Sequence, residues 1–127
     1  MTTQPDVRRY NASAESTATF GRVLCSTRDQ HYVVDGPVAN GCPGEAPTPA
    51  EVFLSGVTAC GVELIQVLAR QDGIPLTAIR AEIDAFQDRT APVHEHVSSF
   101  NRVQLRFELS GVSESHAADL VERFKRR

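Results

Sequence analysis

The stretch "APTPAEVFLSGVTACGVELIQVLARQDGIPL", residues 46–76, decides how the rest of the chain is read. Thr48 is placed to cap a helix, Pro49 suits its first turn, and Glu51 falls three residues after Thr48, the spacing of a capping box. At the far end Gly73 supplies a residue tolerant of the left-handed region, and Pro75 forbids continuation. The signals predict one helix of about 24 residues, ~36 Å long. Val52, Phe53, Leu54, Val57, Val62, Leu64, Ile65, Val67 and Leu68 leave few polar positions around it. A helix apolar nearly all round must be covered on more than one side. A sheet can cover one side. Ser55, Gly56, Ala59 and Gly61 are small enough for a second helix to approach the other, so paired central helices of a homodimer are expected.

The same run is long enough to suggest a membrane span, but Glu63 and Gln66 sit in its middle, where charge is costly in lipid. A buried core helix, not a membrane segment, is the expectation. The bulk numbers agree: 41% of residues are hydrophobic and 23% charged, so 127 residues can close one core without disulfide staples. A net charge of −3 offers nothing to nucleic acid or an anionic membrane, and the absence of Trp argues against a base-stacking platform.

Outward from the helix, residues 1–16 are polar, with a short edge strand possible near Val7 to Tyr10, and residues 17–127 read as one domain. "ATFGRVLCST" (18–27) and "QHYVVDG" (30–36) are strand-like and separated by Arg28 and Asp29, as in a hairpin. "GPVANGCPGEAP" (36–47) is a loop. Residues 77–89 and 100–110 alternate apolar and charged side chains, the pattern of half-solvated strands. Residues 113–127 form a short amphipathic helix capped by Ser113 or Ser115, with Ala117, Leu120, Val121 and Phe124 on one face. The fold class is α+β, antiparallel sheets packed around a long buried central helix.

Three cysteines, Cys25, Cys42 and Cys60, make neither a disulfide framework nor a zinc site. "MTTQPDVRRYNASAESTATF" lacks the apolar run of a signal peptide, so a reducing cytoplasm is expected, where thiols stay free or catalytic. Cys60 has two readings: a small core hydrophobe, or a reactive thiol. Cys60 lies some three turns inside the helix, beyond reach of its dipole, so a thiolate there needs a nearby cation. Glu63, one turn on, would oppose it unless Glu63 holds an Arg toward the sulfur; otherwise Glu63 faces a surface or an interface. Cys25 is expected in the core. His94 and His96 could begin a metal site, but no third ligand is in view, so no metal and no cofactor are expected.

"GCPGEAPTPAEVFLSGVTAC", followed by "GIPL" and an alternating strand, resembles the OsmC/Ohr family, and "VVDGP" resembles the Asp-x-Pro turn of its OsmC-like branch. The resemblance runs from about residue 18 to the end. It implies an OsmC-like fold in an intertwined homodimer. It also implies a thiol-dependent peroxidase that reduces organic hydroperoxides, in defence against oxidative stress. Cys60 would attack the peroxide and become a sulfenic acid, assisted by an Arg–Glu pair, with an external dithiol as reductant. By position Arg28 is the candidate Arg, with Arg22 in reserve. The candidate acids are Glu63 and Glu51, although Glu51 also has the capping role and lies about 180° around the helix from Cys60 at ~100° per residue. The chain departs from the family's peroxidases in carrying Ala50 directly after the helix proline, where they carry an acid, and in having no cysteine after Cys60. Cys42, in the loop before the helix, is either an incidental loop thiol or a substitute resolving thiol. The alternative is a non-catalytic dimer of the same fold that binds an apolar ligand or senses redox state.

Overall fold

The two-residue break at Arg28 and Asp29 forms the predicted hairpin. In the computed structural model, which describes residues 3–127, β2 (Arg22–Thr27) and β3 (Gln30–Asp35) pair antiparallel with Thr27 opposite Gln30 and Arg22 opposite Asp35. Arg28 takes a left-handed φ of 52° to make the turn. A third strand, β1 (Ser13–Ser16), pairs with β2 along its other edge. This corrects two expectations. The N-terminal strand lies at Ser13–Ser16, not near Val7 to Tyr10, and β2 begins at Arg22, not at residue 18. The hydroxyl of Thr17 accepts from the Thr19 N–H and donates to the Arg22 carbonyl, and Gly21 adopts φ 79°, so residues 17–21 turn the chain between the two strands. β1 consists of small and polar exposed residues held by main-chain bonds, and it lacks the apolar alternation that marks a strand in sequence.

The chain divides into two compact units, one ending at Val52 and one running from Phe53 to Arg127. The first is organised around Asp35, which is fully buried. Arg22 donates Nε to Asp35 Oδ1 at 2.8 Å and Nη2 to Oδ2 at 2.9 Å. The backbone N–H groups of Glu45 and Ala46 donate to Oδ2 at 3.0 and 2.9 Å. The Asp35 N–H in turn donates to the Pro47 carbonyl at 3.1 Å. A buried carboxylate is tolerated only when its lone pairs are met this fully. The loop after β3, which includes a 3₁₀ turn at Val38–Asn40, is thereby fastened to the hairpin just before Thr48.

α1 (Pro49–Gln71) starts and stops as the sequence signals require. Glu51 Oε1 accepts from the Thr48 N–H and hydroxyl at 2.9 and 2.8 Å, while the Glu51 N–H donates to Thr48 Oγ1 at 3.4 Å. At the other end Gly73 has φ 65°, the Ile74 N–H donates to Ala69 O and the Gly73 N–H to Arg70 O. These two bonds form a Schellman motif, and Ile74 packs against the core beside Ala69 as that motif favours.

In the second unit β4 (Ala78–Phe86) and β5 (Arg102–Ser110) form a two-stranded antiparallel sheet, and α2 (Glu114–Lys125) follows with Ser113 as its N-cap. The inner-face pairs are Ile79 with Leu109, Ala81 with Phe107 and Ile83 with Leu105. The outer face is charged, with Arg106 bridging Glu82 at 3.2 Å and Asp84 at 2.8 Å. Ile65, Leu68 and Ala69 of α1 and Leu120 of α2 form the buried core, with Phe107, Leu109, Val121 and Phe124 around it. Arg123 of α2 pairs with Asp72 at the end of α1 and ties the two helices together.

α1 has the length and hydropathy of a membrane span, yet it is the element on which the second unit's core is assembled. Among the described residues, those of α1 that are fully buried lie on one side of it. Gly61, Ile65, Leu68 and Ala69 are buried, whereas Phe53 is 64% exposed and Val67 39%.

Arg22 holds the Asp35 carboxyl well below the usual carboxylate range, helped by the Ala46 and Glu45 N–H groups, against the opposing effect of burial. A carboxyl whose folded-state affinity for protons is reduced stabilises above its unfolded value of about 3.9 and loses that contribution as pH falls below it. Asp35→Asn is expected to lower the melting temperature at pH 7 by on the order of 10 °C, because half-buried Arg22 loses its buried carboxylate and keeps only the exposed Glu45. The gap between wild type and variant should shrink below about pH 4, which melting curves from pH 7 down to pH 2 will show.

Candidate functional site

Cys60 and Glu63 lie one turn apart on α1 in the second unit, and both are exposed in the single chain. With Phe53, Gly56, Val67 and Arg70 they fall at spacings of three and four residues, a continuous stripe along one side of the helix. Their sequence neighbour Gly61 points the other way. A Cβ at position 61 would stand 2.8 Å from Cζ and 2.9 Å from Cε1 of Phe107 and 3.3 Å from Cζ of Phe124. Phe107 and Phe124 meet edge to face, with centroids 5.5 Å apart. The lack of a side chain at Gly61 lets α1 settle on this aromatic pair, and that contact fixes the rotation of the helix and turns Cys60 to the uncovered side. A shallow cleft of about 410 Å³ continues the stripe along Glu63, Gln66, Val67, Arg70 and Gln71.

The other sequence candidates belong to the first unit. Arg28 is exposed at the tip of the β2–β3 hairpin. Arg22, the reserve candidate, has its guanidinium committed to Asp35 and, at 3.3 Å, to Glu45. Glu51 is held below its ordinary pKa by the Thr48 N–H and hydroxyl, in keeping with its capping role. Cys42 is half-buried in a slot between Gly21 and Gly36, where a Cβ on either glycine would overlap its sulfur. Cys25 is half-buried in β2 opposite Tyr32, partly matching its expected place in the core. His94 and His96 lie in the exposed β4–β5 connection, and no group of three or more potential metal ligands occurs among the described residues.

Sequence reasoning missed the Arg22–Asp35 pair. A signal for it existed: Asp35 is a lone acid closing the apolar run "YVV", and counting outward from a two-residue turn at 28–29 brings Arg22 opposite it.

The sequence profile described as OsmC-like protein matches residues 42–127, more than half of the chain, and the protein belongs to that family. No sequence relative was found among curated proteins. Solved structures share the fold. An OsmC-like protein from Mycoplasma pneumoniae aligns with a TM-score of 0.80 at 16% identity, over 94% of this chain and 82% of its own. An organic hydroperoxide resistance protein OsmC from Legionella pneumophila aligns with a TM-score of 0.72 at 20% identity, over 96% and 85%. An organic hydroperoxide resistance protein from Elizabethkingia anophelis aligns with a TM-score of 0.69 at 17% identity, over 97% and 85%.

The contact at Gly61 can be tested directly. Alanine normally favours a helix interior over glycine by about 1 kcal/mol. At position 61 the overlap with Phe107 should outweigh this gain, so Gly61→Ala is expected to be net destabilising by about 1–2 kcal/mol in urea unfolding. A net gain in stability would show that the packing on Phe107 and Phe124 is looser than described.

Proposed function

We propose that this protein is a thiol-dependent peroxidase that reduces organic hydroperoxides, acting as a homodimer with Cys60 as its nucleophile. The observation that carries the proposal is the place of Cys60: the middle of α1, on the side its own chain leaves uncovered, in a protein of the OsmC-like family. Family membership raises the expectation of hydroperoxide chemistry, as do fold relatives named organic hydroperoxide resistance proteins. The reaction runs as follows. The Cys60 thiolate attacks one peroxide oxygen, the O–O bond breaks, and the second oxygen leaves as an alkoxide that takes up a proton to become an alcohol. Cys60 becomes a sulfenic acid, the reversible first stage of thiol oxidation. An external dithiol then supplies the two electrons that restore the thiol and release water. A cation is needed to favour the thiolate and to stabilise the departing alkoxide. Arg28 is the candidate for that role, because Arg22 is already held by two carboxylates. Glu63 is the acid suited to orient such a cation, and Glu51 is the weaker choice because its carboxylate closes the helix cap. Cys42, seated between two glycines, is the candidate resolving thiol.

The exposed stripe on α1 supports a homodimer. Phe53, Gly56, Cys60, Glu63 and Val67 form a seam narrow enough at Gly56 for close helix approach, and a second copy would exclude water from Cys60. A second reading, a non-catalytic dimer that binds an apolar ligand, is favoured by one observation: neither Cys60 nor Glu63 makes a side-chain hydrogen bond or ion pair among the described residues.

Consumption of cumene hydroperoxide with a dithiol separates the two. Cys60→Ser should lose activity by ~10³-fold or more, as expected when a nucleophile is removed. Equal rates in wild type and variant would leave only the ligand-binding reading. Cys42→Ser turning over at the wild-type rate would exclude a resolving role for Cys42. For the dimer, a Cβ at Gly56 meets nothing within 4 Å in the single chain. Gly56→Leu should therefore fold normally yet sediment as a monomer at concentrations where wild type is dimeric.

A further inference from the structure

A second polar feature lies in the first unit, away from every role assigned above except that of Arg28. Arg9, Tyr10, Asn11, Thr27 and Arg28 line one cleft of about 310 Å³, the lower end of the size range of small-ligand sites. The N-terminal arm is fastened there, because Thr27 Oγ1 donates to the Asn11 carbonyl at 3.0 Å. Two arginines thus border the same space. Among the described residues neither makes an ion pair, although Asp29 adjoins Arg28 in sequence and Arg8 pairs with Asp6. By contrast Arg22, Arg80, Arg106 and Arg123 are each matched to a carboxylate.

The backbone adds an independent observation. Arg28 occupies a left-handed φ of 52°, a conformation that suits glycine or asparagine at a hairpin tip. Backbone strain of this kind persists where a side chain is wanted at that spot. Like charges gathered around one cleft repel each other until an anion joins them. One planar fork satisfies a carboxylate, whereas two forks from separate segments suit a group with more oxygens and more charge.

We infer that this cleft is a binding site for a multivalent phosphoryl group, gripped by Arg9 and Arg28 with the Tyr10 phenol at its rim. The inference does not rest on the peroxidase reading, and Arg9→Ala separates the cleft from any part that Arg28 plays at Cys60. The experiment is titration of the full chain with pyrophosphate at low ionic strength, followed by calorimetry and by amide NMR shifts, with acetate as the monovalent control. Pyrophosphate should bind saturably, shifting amides 9–11 and 27–28, and acetate should not. Arg9→Ala and Arg28→Gly should each weaken binding by ~10-fold or more, while Arg89→Ala, an exposed arginine of the second unit, should leave it unchanged. Without ligand Arg28→Gly should melt higher than wild type, since it relieves the turn while leaving the hairpin intact. Absence of saturable binding, equal binding by Arg9→Ala, or equal weakening by Arg89→Ala would each overturn the site.

Discussion

A single carboxylate, buried without access to water, governs how the first unit is put together. Asp35 ends β3 at zero exposure, and everything around it is arranged to make that charge tolerable. Arg22 meets it across the hairpin, and the chain that follows must bend back so that two successive amides, at Glu45 and Ala46, reach the same oxygen. The bend is costly in chain entropy and would not form for apolar reasons, because the segment between is rich in Gly and Pro and mostly exposed. Its result is positional. The last tethered residue, Pro47, precedes the helix cap, so the electrostatic requirement of Asp35 sets where α1 begins.

From that start the helix carries its own instructions. Thr48, Pro49 and Glu51 at one end and Gly73 at the other were legible because each acts on neighbours a few residues away, and local rules suffice to read them. The β4 and β5 strands were legible for a similar reason: one face is apolar and the other charged, and alternation records this directly. β1 was not, because Ser13–Ser16 has no buried face and its place is decided by the free edge of β2. The orientation of α1 was only half legible. Composition announced that more than one side needs cover, but which side meets the sheet depends on Gly61 lying over Phe107 and Phe124, far along the chain.

The candidate site divides along the same line. Cys60 and Glu63 could be singled out from spacing on one helix, since their relation is local. The partners a thiolate requires are non-local, and position alone ranked Arg28 above Arg22 without revealing that Arg22 is bound to a buried acid. The uncovered stripe containing Phe53, Cys60 and Val67 is where the apolar composition of α1 reaches the surface of the single chain, beside its central thiol.

The slot that holds Cys42 ties three positions into one shared volume. Gly21 and Gly36 stand on either side of its sulfur, and neither can acquire a methyl group while the sulfur is there. The tolerance at Gly36 is thus conditional on residue 42, whereas Gly21, at φ 79°, resists a side chain whatever occupies the slot. An alanine at 36 becomes admissible only when residue 42 shrinks, and paired substitutions across the slot will fail to add.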